Sequence, residues 1–109
     1  MNTNEIVARV CSCLIDHKIE YMRVNFSMFQ YLWASLTDSE LDCVTHTIDF
    51  SRSPAAYLLG IPLFISNEVT SGNFNYGIKK DNKISWSIPI SINTSLEDLC
   101  KIIKLKNYW

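Results

Sequence analysis

Glycine and proline are scarce in this chain of 109 residues, with three of each. Collagen-like and low-complexity sequences need far more of both, so the composition excludes these classes. No apolar run reaches the ~18 residues of a membrane span, and the longest, 55–65, contains Gly60 and Pro62. Near the N-terminus charged and polar residues interrupt the apolar ones, unlike in a secretory signal. We therefore expect a soluble, cytoplasmic protein that does not bind a membrane.

An excess of charge of either sign is also lacking. Ten Lys and Arg residues stand against eleven Asp and Glu residues, which gives a formal net charge of −1. Nonspecific nucleic-acid binding draws its affinity from excess positive charge, so we do not expect nucleic acid as the partner. Hydrophobic residues make up 48% and charged residues 19% of the chain, which indicates a folded domain. The length corresponds to a single domain over residues 1–109.

Apolar residues spaced three or four apart predict three main helices. The first covers 4–18, and the other two begin at the capping boxes that start with Ser27 and Thr94. The second helix is expected to bury one apolar stripe. That stripe consists of Phe29, Leu32, Trp33 and Leu36.

Alternating apolar residues predict strands between the second and last helices. They cover 43–50, 57–65 and a hairpin with arms 74–79 and 83–92. Pro62 predicts an edge or a bulge in the strand 57–65. The arm 83–92 is the clearest strand, with one expected buried face. That face consists of Ile84, Trp86, Ile88, Ile90 and Ile92. The order of elements predicts an α+β domain, with helices at both ends around a mainly antiparallel sheet of about four strands.

The cysteines and histidines suggest a metal site, but their spacing argues against one. Cys13 and His17 lie four residues apart on a predicted helix, and Cys43 and His46 form a Cys-x-x-His pair. Zinc accepts such ligands, yet the spacings do not match a zinc finger, and Cys43 and His46 would point to opposite faces of a strand. We expect reduced, mostly buried thiols, with no metal and no cofactor.

A cysteine nucleophile is the second candidate for chemistry. Cys43 beside His46 or His17 has the residue types of a nucleophile and its base. No known catalytic signature surrounds Cys43, and the three glycines form no phosphate-binding loop. We therefore assign no catalytic residue and expect that the protein is not an enzyme.

Aromatic residues outside the predicted core are the better functional signal. Exposed Tyr and Trp side chains commonly anchor protein interfaces. Three lysines at the predicted hairpin tip could form the charged rim of such an interface. The candidate partner-binding residues are Tyr57, Tyr76, Lys79, Lys80, Lys83, Tyr108 and Trp109.

The segment 57–72 reads YLLGIPLFISNEVTSG. Its Leu-Gly-x-Pro pattern, followed by Ile-Ser and a short loop to Gly72, resembles segments of bacteriophage capsid subunits and short phage accessory proteins. Capsid subunits are much longer than this chain, so the resemblance implies a small accessory protein. Such proteins include inhibitors of host enzymes and defence complexes, anti-CRISPR proteins among them.

Three hypotheses about function follow. The first is a non-enzymatic phage factor that binds a host protein or protein complex and inhibits it by steric occlusion. The second is a small virion or assembly component that self-associates as a homo-oligomer. The third is a small cysteine-dependent enzyme. Gel filtration separates the first two hypotheses, and the sensitivity of any activity to thiol alkylation tests the third.

Overall fold

A mixed sheet with helices on one of its faces makes up the computed structural model, which describes residues 3–44, 53–70 and 72–104. None of the helices in these ranges has the length and apolar character that crossing a bilayer requires. The elements, in chain order, are α1 (Thr3–Asp16), β1 (Tyr21–Val24), α2 (Phe26–Ser35), β2 (Leu41–Cys43), β3 (Ala56–Leu58), β4 (Ile61–Ile65), β5 (Asn73–Lys80), β6 (Lys83–Trp86), β7 (Ile90–Ser91) and α3 (Leu96–Lys104).

The sheet confirms the α+β class but is larger than expected. Its strand order is β2-β3-β4-β1-β5-β6, and β7 pairs with β5. The β1–β4 pair is parallel and the other pairs are antiparallel, so the expectation of about four strands is wrong and the sheet is mixed. One extra strand arises because the run 57–65 folds back on itself at Leu59 and Gly60, whose φ angles are 48° and 88°. Two successive residues with positive φ form the tight turn that suits a two-residue hairpin.

One face of the sheet is buried under all three helices. Met22 on β1 lies beside Leu63 on β4 and Tyr76 on β5, and all three side chains are buried. The apolar sides of the helices complete this core. Their buried residues are Val10, Cys11, Cys13 and Leu14 of α1, Leu32 of α2, and Leu99 and Ile103 of α3.

The opposite face of the sheet carries a second set of side chains. Arg23 lies beside Phe64 on one neighbouring strand and beside Asn75 on the other. Tyr21 is aligned with Gly77, which in turn pairs with Trp86. Because neighbouring residues in register share a face, these side chains point away from the helices.

Pro62 lies in an interior strand, β4, at a position where the strand is paired on one side only. It pairs with Tyr57 on β3, while the register between β4 and β1 begins one residue later, at Leu63. Proline lacks the N–H that a strand donates to its neighbour. Its position before the start of the β1 pairing explains why the sheet tolerates it.

The predicted starts of two helices are off by one or two residues. Asn25 is the N-cap of α2, and its Oδ1 accepts a hydrogen bond of 2.8 Å from the backbone N–H of Met28. In front of α3, Ser95 Oγ accepts a hydrogen bond of 3.2 Å from the N–H of Asp98. Asn and Ser stabilise a helix start at least as well as the predicted N-caps, Ser27 and Thr94. The sequence pattern alone therefore does not decide between N-cap candidates one or two residues apart.

The predicted strand 83–92 is interrupted. β6 ends at Trp86, and β7 contains Ile90 and Ser91. Ile88 lies between them and is 72% exposed, so the expectation that it is buried is wrong. Pro89, which cannot donate to a ladder, follows it directly. Of the predicted strand 43–50, the structure describes two residues: Cys43 ends β2 and Val44 lies beyond it. Residues 45–50 lie outside the described ranges.

Candidate functional site

The predicted partner-binding residues do not form one surface. Tyr57 is 41% exposed on β3, whereas Lys79, Lys80 and Lys83 are exposed at the turn between β5 and β6. β4 and β1 separate β3 from β5 in the sheet. The other two predicted residues, Tyr108 and Trp109, lie outside the described residues.

Tyr76 belongs to the core, so its prediction as an interface residue is wrong. Its side chain is 1% exposed and packs on the helix-covered face of β5. Its hydroxyl donates a hydrogen bond of 3.4 Å to the carbonyl oxygen of Ile102 in α3. Burial, with a smaller contribution from Cys13, raises the pKa of Tyr76 to about 12.

Three aromatic side chains of α2 are exposed, although none of them is among the candidate partner-binding residues predicted from the sequence. Phe26, Tyr31 and Trp33 are 50%, 56% and 66% exposed, while Leu32 between them is 1% exposed. Trp33 was expected in the buried stripe, and that expectation is wrong. Each residue turns a helix by about 100°, so a helix buried along Leu32 carries Trp33 away from the core.

The same helix has no charged side chain. The whole stretch 24–37 contains neither Asp, Glu, Lys nor Arg. An exposed helix face is normally rich in these residues, because they keep it solvated. Exposed aromatic residues on an uncharged helix therefore indicate a contact surface, and the missing charge is the sequence signal that could have found it. Phe26 and Trp33 are seven residues apart and lie on one side of the helix, which we call the α2 aromatic face, whereas Tyr31 is turned from them by roughly 140–160°.

On the face of the sheet that points away from the helices, Arg23 lies among polar and aromatic partners; we call this the open face. Its guanidinium carbon is 4.7 Å from the ring centroid of Trp86, and its Nε donates a hydrogen bond of 3.0 Å to Asn75 Oδ1. Glu68 is 3.6 Å away, and its charge partly offsets the lowering of the pKa of Arg23 by burial. The ring of Phe64 meets that of Trp86 edge-on, with centroids 5.7 Å apart. These contacts indicate that the cluster stabilises the sheet.

Gly77 has no side chain, and the ring of Trp86 packs into the space that a side chain would fill. A Cβ atom at this position would lie 2.8 Å from Ile84 Cγ2 and 2.9 Å from Trp86 Cε3. We expect Gly77→Ala to lower the free energy of unfolding by at least about 1 kcal/mol, as overpacked sites do. Urea denaturation measures this, and an unchanged midpoint would contradict the close packing of Trp86 on Gly77.

Two thiols and an imidazole meet where α1 and α3 pack together. Cys13 Sγ and Cys100 Sγ are 3.1 Å apart, and the ligand atoms of Cys13, His17 and Cys100 all lie within 4.8 Å of one another. They line an open cavity of about 310 Å³ together with Ala8, Arg9, Ser12 and Asp16. Burial and the nearby Cys100 raise the pKa of Cys13 to about 12.

This cluster contains only part of the predicted ligand set. Cys13 and His17 are neighbours, as their spacing on a helix predicted. Cys43 is exposed on β2 and is not one of this group, and His46 lies outside the described residues. Cys100 was expected only as a core residue of the last helix. Because 87 positions separate it from Cys13, no local spacing reveals their contact.

The environment of Cys43 disfavours a nucleophilic thiolate. Desolvation raises its pKa, and the negative charges of Asp38 and Asp42 raise it further. A reactive cysteine needs the opposite, a positive neighbour that lowers the pKa of its thiol.

Comparisons with protein-family models, with curated proteins and with solved structures gave no significant match.

Proposed function

We propose that this chain is a non-enzymatic factor that binds another protein through the α2 aromatic face. The observation that carries the proposal is the exposure of Phe26 and Trp33, which are 50% and 66% exposed on one side of an uncharged helix. Aromatic side chains supply much of the binding energy at protein interfaces when a partner covers them.

The chemistry of α2 also describes the partner. The helix offers apolar surface and no charge, so a complementary partner presents an apolar groove or a shallow apolar pocket without a strong charge. Electrostatic steering to α2 itself is weak for the same reason. Lys79, Lys80 and Lys83 lie on a different element and act at most as a charged rim in this proposal.

The raised pKa of Cys43 supports a binding role over the cysteine-dependent enzyme, because a protonated thiol is a poor nucleophile. We further propose that the partner is a bacterial host enzyme or defence complex, which the protein inhibits by steric occlusion. This refinement depends on the resemblance of segment 57–72 to phage accessory proteins. It predicts that inhibition needs stoichiometric amounts of the protein.

The test compares two exposed apolar positions. We expect Trp33→Ala to weaken the complex with a protein captured from host lysate by more than about 1 kcal/mol, the usual threshold for an energetically important interface residue. Ile88→Ala is the matched control, because Ile88 is even more exposed but lies outside α2. Calorimetric titration measures both affinities, and circular dichroism checks that both variants are folded.

Three results would contradict the proposal. One is a complex that tolerates Trp33→Ala and Phe26→Ala as well as it tolerates Ile88→Ala. Another is inhibition at far less than one copy per target that is lost in Cys43→Ser, which would indicate catalysis. The third is concentration-dependent self-association that Trp33→Ala abolishes while no other partner binds, which would support the assembly component instead.

A further inference from the structure

The cluster of Cys13, His17 and Cys100 has the residue types and the proximity of a metal site. Cys13 lies in α1, and His17 directly follows the helix, with its backbone N–H donating a hydrogen bond of 3.2 Å to the carbonyl oxygen of Cys13. Positions four residues apart lie on one side of a helical turn. α3 packs against α1 and supplies Cys100 from the other side. The fold therefore brings three ligating side chains together from two distant parts of the chain.

The distances fit a tetrahedral ion after small adjustments. Zinc binds sulfur at about 2.3 Å and imidazole nitrogen at about 2.0–2.1 Å, so two ligand atoms on one zinc lie about 3.5–3.8 Å apart. The two sulfurs, now 3.1 Å apart, would need to separate slightly. The most distant pair of ligand atoms, within 4.8 Å, would need to approach by roughly 1 Å. Rotations of the side chains provide shifts of this size.

The donor set indicates which ion fits. Thiolate sulfur and imidazole nitrogen are soft and borderline ligands, which zinc prefers to the oxygen ligands that magnesium and calcium require. Three protein ligands leave the fourth tetrahedral position free, and the three residues line an open cavity. Ser12 and Asp16 line the same cavity and offer oxygen atoms to a water molecule or other small ligand there.

We propose that Cys13, His17 and Cys100 bind a zinc ion that links α1 to α3 and keeps its fourth position open to the cavity. A disulfide between Cys13 and Cys100 is the competing use of the same sulfurs. It would need a sulfur–sulfur distance of about 2.05 Å and would involve only two of the three residues. The imidazole beside both sulfurs favours the metal.

The site has a consequence for the fold. The ion would close a loop between positions 13 and 100, so binding constrains most of the described chain. Zinc affinity then contributes directly to folding stability, because the unfolded chain does not hold these ligands together. The separation of α3 from α1 would require loss of the ion.

Cobalt titration of the reduced, metal-free full-length protein tests the proposal. We expect one equivalent of Co²⁺ to give the visible bands of a tetrahedral site together with a thiolate-to-cobalt charge-transfer band, and Zn²⁺ to displace it. Cys100→Ser should lower the affinity by more than about 100-fold, a larger loss than removing an outer-shell partner causes. His17→Ala should also weaken binding while the thiolate band remains.

Cys43→Ser is the matched control, because it removes a free cysteine that is exposed and outside the cluster. It should leave the spectrum and the affinity unchanged. If Cys13→Ser does not fold, Cys100→Ser decides, because Cys100 is only partly buried. Absence of a thiolate-to-cobalt band, or an affinity that Cys100→Ser leaves unchanged, would overturn the proposal. So would a disulfide between Cys13 and Cys100 in the native protein, detected as two free thiols instead of four after denaturation without reductant.

Discussion

Tyr76→Ala is expected to lower the free energy of unfolding by about 3–5 kcal/mol, the usual loss when a large aromatic side chain is removed from a core. The residue lies on the helix-covered face of the sheet and is 1% exposed, so the folded chain removes nearly all of its surface from solvent. A domain of this size has a total stability of roughly 5–15 kcal/mol. The variant should therefore be close to unfolding, and urea or thermal denaturation measures the difference.

Two companion variants separate the sources of this loss. Tyr76→Phe keeps the ring and removes only the hydroxyl, whose bond to Ile102 is long at 3.4 Å, so it should cost about 1 kcal/mol or less. Tyr31→Ala removes the same side chain from a position that is 56% exposed, and surface changes of this kind stay within about 0.5 kcal/mol. A loss under about 1 kcal/mol for Tyr76→Ala would show that the ring is not part of the core.

Tyr76 also shows where the sequence was informative and where it was not. The alternation around it correctly predicts a strand, and β5 covers Asn73–Lys80. Phe74, Tyr76 and Ile78 alternate with Asn75, Gly77 and Lys79, so the pattern itself places Tyr76 on the apolar face of the strand. The choice of Tyr76 as an interface residue did not use this alternation. Met22 on the neighbouring strand β1 is aligned with Tyr76 in the folded sheet and is buried with it.

The helices give a similar lesson about local and distant information. Their existence and approximate bounds follow from the spacing of apolar residues. The exposure of Trp33 does not, because it depends on how much of α2 its neighbours cover. The predicted apolar stripe of α2 is wider than the surface by which the helix contacts the core, so part of the stripe is exposed to solvent. Trp33 is that part.

The thiol cluster depends even more on the tertiary fold. Cys13 and His17 are recognisable together because a helix repeats every 3.6 residues. Cys100 joins them only because α3 packs on α1 at the end of the chain. Spacing rules for metal sites describe ligands that are close in sequence, so they fail when the third ligand comes from a distant helix.

Trp86→Ala is expected to lower the free energy of unfolding by about 2–3 kcal/mol, which is less than the 3–5 kcal/mol lost when a fully buried aromatic residue is removed. The ring is only partly buried, but it contacts Phe64 at 5.7 Å and Arg23 at 4.7 Å between centres. Aromatic pairs contribute about 0.5–1.5 kcal/mol beyond the area they bury, and a cation over a ring contributes about 0.5–1 kcal/mol or more. Trp33→Ala is the matched control, since Trp33 is 66% exposed and its loss should hardly change stability.

A double-mutant cycle isolates the aromatic pair from the rest of the cluster. Phe64→Leu and Trp86→Leu, alone and combined, should show a coupling of about 0.5–1.5 kcal/mol in the free energy of unfolding. Leucine fills much of the space of either ring, so the substitutions create only small cavities. The coupling energy therefore measures mainly the contact between the two rings. Equal losses for Trp86→Ala and Trp33→Ala, or a coupling near zero, would show that the open face of the sheet contributes little to the fold.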